Sequence, residues 1–196
     1  MINLMYLVFI AMLALNVSTE VLDGFVMIND NIQESIAVTD ERNKHIYADI
    51  AASYETNRDK TQDSYNRAQS VKAKTDSIFD YLQYLKLEIA KKSDGADADI
   101  NNLKSKDNLD ASSEVMISPV GGQGKKLKKI LDAYREAMVA QIPDESKRKI
   151  VSSTLSTEPS ARAKKDHKDW ITSSFDGMPS IAVLTFLSEL QMNVKQ

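Results

Sequence analysis

The sequence has no cysteine, and only six glycines, four prolines and one tryptophan among 196 residues. Without thiols there is no disulfide staple, no thiolate nucleophile and no cysteine metal ligand, and an oxidising compartment is permitted without being required. With so few helix breakers, long stretches are free to remain helical. Two histidines, His45 and His167, stand far apart. A lone helical histidine without a second ligand at metal spacing is more often a surface or packed residue than a ligand. The net charge of −3 asks for no polyanion, so no nucleic-acid partner is expected. Carboxylates are plentiful, but none sits in a glycine-rich or apolar context that would mark a raised pKa. No catalytic residue is assigned, no metal or cofactor is expected, and the chain reads as a non-enzyme.

A further absence is of charge between Met1 and Thr19. Leu4, Met5, Leu7 to Leu15 and Val17 form an almost unbroken apolar run there. Such a helix covers roughly 28 Å of a hydrocarbon core about 30 Å thick. A cleavable leader would need a basic start and a small-x-small cleavage site, and neither is present. Residues 1–19 are therefore expected to be a transmembrane helix, and 20–196 a helical domain. Between Glu20 and Glu41 there are acids and no base. Because Lys and Arg are retained on the cytoplasmic side, this flank is expected to be exported. The lack of Lys or Arg before the span suggests that the sequence starts within a longer chain.

The spacing predicts an all-α fold. Val17, Val21, Phe25, Ile28, Ile32 and Ile36 predict a helix continuing from the membrane to about Glu55, bent near Val38 to Arg42, with a turn at Asn57 to Lys60. Val71, Thr75, Ile78, Leu82, Leu85 and Ile89 give a second helix a heptad seam, ending near Gly95. Residues 94–124 read as a long polar loop of little regular structure. Further helices are predicted over Lys126–Gln141, Asp144–Ser152 and from Pro179 onward on Ile181, Leu184, Leu187, Leu190 and Met192. Nothing stops the last before Gln196, so the natural chain is expected to go on.

Two motifs invite chemistry and carry little. Gly121-Gly122-Gln123-Gly124-Lys125-Lys126 lacks the spaced first Gly, the Ser or Thr after Lys and the preceding strand of a phosphate loop. Lys125, Lys126, Lys128 and Lys129 form a basic run, which is usually a solvated face. Within the span there is no ionisable chain for protons, so any ion path needs a partner. Ala11, Ala14 and Ser18, flanked by Leu7, fall within an arc of roughly 60° and offer a small-residue face for a twin helix.

Several blocks together resemble one family. Met1-Ile-Asn-Leu-Met-Tyr-Leu-Val-Phe-Ile-Ala-Met-Leu-Ala-Leu-Asn16 with Val17-Ser-Thr-Glu-Val-Leu22 is similar to the membrane segment of GldM/PorM, the gliding-motility and type IX secretion protein of Bacteroidota. Asp40-Glu41-Arg42-Asn43, Asp110-Ala-Ser-Ser-Glu-Val-Met116, Leu131-Asp-Ala-Tyr-Arg-Glu136 and Phe175-Asp-Gly-Met-Pro-Ser-Ile-Ala-Val-Leu184 agree. The resemblance implies an inner-membrane homodimer, N-terminus cytoplasmic and C-terminal domain periplasmic, standing inside a pentameric GldL ring. Proton flow through the ring would move the dimer, and β-rich domains absent from this chain would carry the movement to outer-membrane components. Leu7, Ala11, Ala14 and Ser18 would form the dimer face in the membrane. Tyr6, roughly 7.5 Å of rise from Met1 and on the order of 110° from that face, would either meet the ring or serve as an interfacial aromatic anchor. Asn3 and Asn16 are grouped with it as ring contacts. A competing expectation is a passive membrane-tethered sensor or adaptor bundle.

Overall fold

The computed structural model describes residues 17–196. Asn3, Tyr6, Leu7, Ala11, Ala14 and Asn16, with most of the expected span, lie outside the described residues. Those described form an all-helical bundle: α1 Thr19–Thr56, α2 Arg58–Asp94, α3 Asp110–Met116, α4 Gly124–Val139, α5 Glu145–Thr154, α6 Ala161–Lys165, α7 Trp170–Phe175 and α8 Ser180–Lys195. Among these residues no helix is long and apolar enough to cross a membrane.

The expected helix continuous with the span is not what the described residues form. Val17 and Ser18 are non-helical, and Ser18, in extended backbone, accepts a hydrogen bond from Val21 N. A serine in that position gives one of the orphan amides at the helix start a partner, so it begins a helix instead of prolonging one. From Thr19 the helix then runs unbroken to Thr56.

Asn57 alone separates α1 from α2, which pack as an antiparallel hairpin. Thr61 Oγ1 donates to Asn57 O at 2.7 Å, and Tyr54 stacks on Tyr65 at 4.3 Å, fixing the tip. At about 1.5 Å per residue each arm is nearly 60 Å long, whereas α8 reaches only about 24 Å. The hairpin therefore outreaches the bundle, and no residue from 44 to 74 is buried.

The core lies at the other end. α8 is buried over most of its surface, with Ile181, Val183, Leu184, Leu187, Leu190 and Val194 turned into the core, which places it at the centre. It meets Ile78, Leu82, Leu85 and Ile89 of α2, the predicted seam, and α4 adds Leu127, Leu131 and Tyr134. Fully burying each such Leu or Ile contributes about 1.5–3 kcal/mol. Trp170, Phe175 and Phe186 close the side in tilted and edge-on pairs.

Two expectations fail here. On α1 the buried residues are Leu22, Asn29, Ile36 and Thr39, while Val21 and Ile28 are 51% and 50% exposed, so the predicted stripe mixes two faces. Residues 94–124 are not an unstructured excursion. Asp94 accepts from Lys104 N and Ser105 N, Asn108 caps α3, and Leu103, Ala111 and Met116 anchor the segment in the core.

Candidate functional site: a polar ladder between parallel helices

Where α8 lies in the hairpin, polar side chains join it to α1 at successive levels. Thr185 Oγ1 donates to Ile181 O at 2.8 Å and reaches Phe25 O at 3.2 Å. Ser188 Oγ lies 2.7 Å from Asn29 Oδ1 and accepts from Gln33 Nε2 at 2.9 Å. Thr39 Oγ1 approaches Met192 Sδ at 3.9 Å, and Asn43 Nδ2 donates to Lys195 O at 2.7 Å. Residue numbers climb together on both helices, so α1 and α8 run parallel. The ladder from Phe25 to Asn43 is about 27 Å long.

α2 fastens the same ladder from the other side. Lys86, 2% exposed, donates through Nζ to Ser188 Oγ at 2.8 Å and to Gln191 Oε1 at 3.2 Å. Gln191 Nε2 in turn donates to Gln83 Oε1 and Phe79 O. Among the described residues Lys86 forms no ion pair, and burial pushes its ammonium down to about 8. Lys195 meets Asp40 at 3.0 Å and Asp76 at 3.2 Å. Burial opposes charging of Asp76, but hydrogen bonds from Lys72 and Lys195 outweigh it and hold the carboxyl below its usual range. Tyr134 of α4 bonds Thr75 at 2.7 Å and Val194 O at 3.1 Å, closing the last level.

This arrangement resists sliding. Moving α8 by one turn would strip partners from several buried polar groups at once, and each group left unsatisfied costs about 1–3 kcal/mol. It is poorly suited to chemistry. Lys86 is sealed from solvent, and Asp76, Asp94, Asp132 and Asp169 are all shifted down, away from proton transfer near neutrality. No group of His, Cys, Asp and Glu among the described residues could hold a metal ion. His45 pairs with Glu41 on the surface, and His167 occupies a left-handed turn after α6.

The two motifs of the sequence become packing features. A Cβ on Gly124 would stand 2.5 Å from Ile171 Cγ2, and one on Gly122 would stand 2.5 Å from Ser118 O, so these glycines admit close approach. In the basic run, Lys126 lies over the Tyr81 ring and Lys128 bonds Asp132 and Thr157. An apolar groove of about 690 Å³ opens where the hairpin leaves α8, between Ile46, Ile50 and Val71 on one wall and Met138, Ile142 and Val151 on the other.

Of the residues assigned from sequence, only Ser18 is described, and it is exposed at the start of α1. Its capping role was readable, since serine before a helical pattern is a common start signal. Asn29, Gln33, Lys86, Ser188 and Gln191 were not singled out. Their signal is polar residues at core spacing, Thr185, Ser188 and Gln191 recurring every third position inside the most apolar helix.

Residues 20–196 match the family model described as the GldM N-terminal domain. No curated protein matches the chain.

Proposed function

Because the chain belongs to the GldM N-terminal domain family, a component of gliding-motility and type IX secretion machinery, we propose that it carries movement from an inner-membrane motor into the periplasm. In this reading residues 1–19 span the membrane with the N-terminus cytoplasmic, and 20–196 form the first periplasmic domain. Two copies stand inside a pentameric ring of a GldL-like protein. Tyr6, Asn3 and Asn16 face the ring, and Leu7, Ala11, Ala14 and Ser18 face the twin. The proton path belongs to the ring, since the span has no Asp, Glu, Lys, Arg or His.

The polar ladder carries the proposal. Displacement entering at Thr19 travels along α1, and α8, parallel to α1 and fastened to it from Phe25 to Asn43, moves with it. Ser18, in extended backbone just before Thr19, is the joint in this reading, and one extended residue spans at most about 3.6 Å, too little to absorb a larger stroke.

Inserting eight Gly/Ser residues between Ser18 and Thr19 separates the readings. Such a linker has an end-to-end distance of roughly 15 Å and would absorb motion. The proposal expects a folded, exported protein at normal level with secretion and gliding lost. Normal secretion and gliding would instead favour a passive tether.

A further inference from the structure

Past Lys195 the α1–α2 hairpin runs on beyond α8, and the groove of about 690 Å³ lies between it and the α4–α5 side of the bundle. Its walls are aliphatic: Ile46, Ile50 and Val71 face Met138, Ile142 and Val151, and Ile46 is 48% exposed. Charged groups gather where the groove meets the end of α8. There Lys195 is held by Asp40 and Asp76, Lys72 meets Asp76 at 3.0 Å, and Lys44 joins the lining from α1. A volume of this size, walled by apolar side chains and polar at one end, has the form of a small-molecule site.

We propose that this groove binds a long-chain fatty acid, its chain along the aliphatic walls and its carboxylate at the α8 end. Size decides against a partner helix. A helix about 10 Å across takes roughly 420 Å³ per turn, so 690 Å³ admits fewer than two turns, short of the i to i+7 anchors by which grooves read helices. Composition decides against a base or a sugar. Among the described residues Tyr47 and Tyr134 are the only rings in the lining, and the Tyr134 hydroxyl is already bonded to Thr75 and Val194 O. An unbranched chain asks only for apolar wall, and Met138, unbranched and flexible, follows its shape. Charge selects the head group. In the lining Lys44, Lys72 and Lys195 outnumber Asp40 and Asp76, leaving one positive charge for a carboxylate. Lys44 supplies it. Its partner Glu41, at 3.1 Å, lies outside the lining, and with the two side chains 73% and 63% exposed the pair is weak enough to exchange.

The inference goes beyond the motor reading and does not rest on it. A chain seated in the groove would cover hairpin residues between 44 and 74, none of which is buried, and so fasten the projecting arm to α4 and α5.

The probe is palmitate carrying a photoactivatable diazirine in its chain, added to membranes that hold the full chain and read by mapping the cross-linked peptides. Labelling of the groove walls is expected to saturate, and to fall about tenfold with excess palmitate but not with its methyl ester, which keeps the chain and loses the charge. A68W, which fills the groove, should cut that labelling about tenfold. Should A68W misfold, K44E decides the matter on an exposed side chain, with labelling expected to fall about threefold. Groove labelling no stronger than that of the exposed residues of α6, or undiminished in K44E, would overturn the proposal. Displacement by the methyl ester as effective as by palmitate would overturn the fatty acid as occupant. Secretion plays no part in this readout, so the motor reading and the groove can fail separately.

Discussion

Lys86 Nζ donates to Ser188 Oγ at 2.8 Å across the α2–α8 interface, a buried ammonium whose acceptors are neutral. A buried charge without a counter-ion costs stability, and retaining one in a helix core is consistent with a role in fixing register.

The cost should appear as a pH dependence. Burial lowers the folded pKa of Lys86 to about 8 from an ordinary 10.5, so the unfolded chain binds the proton more tightly between those values. Stability is therefore least below pH 8 and rises as pH climbs toward 10.5. From pH 7 to 9.5 the wild type should gain on the order of 2 kcal/mol relative to K86M, which has no such group. Denaturant titrations of both at those two pH values measure it. Parallel behaviour would mean that Lys86 is solvated.

Ser188 is the node of the ladder, contacted by Asn29, Gln33 and Lys86. S188A should lose about 1–3 kcal/mol, because three polar groups lose a partner in a dry site. In the double variant K86M/S188A the losses should fall short of additive, since one mutation removes part of what the other strands. Strict additivity in a thermodynamic cycle would show that the two side chains do not interact.

Gly124 and Gly24 give a contrasting pair. G124A places a Cβ 2.5 Å from Ile171 Cγ2 and 2.8 Å from Met116 O, and should cost about 1–3 kcal/mol. G24A, in open space within a long helix, should raise the stability of the monomeric domain by about 0.5–1 kcal/mol. Thermal melts of the two variants decide the matter, and equal tolerance would leave Gly124 without its packing role.

The all-helical class, the α2 seam and the burial of α8 were legible because apolar residues there repeat at helical spacing and face one core. α1 misled for the opposite reason. Its core face includes Asn29 and Thr39, whose partners Ser188 and Met192 lie 159 and 153 residues away, while Val21 and Ile28 sit in solvent. Periodicity assumes that what is apolar is buried, and an unpartnered seam beside a polar ladder inverts that assumption. The seven-residue helix α3 is too short for any period to show, and its first amides, Asp110 N and Ala111 N, donate to Asn108 Oδ1. Of the residues assigned to the span, those before Val17 fall outside those described.

The central claim is that α1 and α8 move as one body. Thr39 and Met192 touch across the two helices, and a chain without other cysteines allows T39C/M192C to be joined selectively by a short cross-linker in cells. Secretion and gliding measured before and after joining test the claim most directly. Unchanged rates in the joined protein are what a rigid pair predicts, and loss on joining with recovery on cleaving the linker would show that the work requires the two helices to shift against each other.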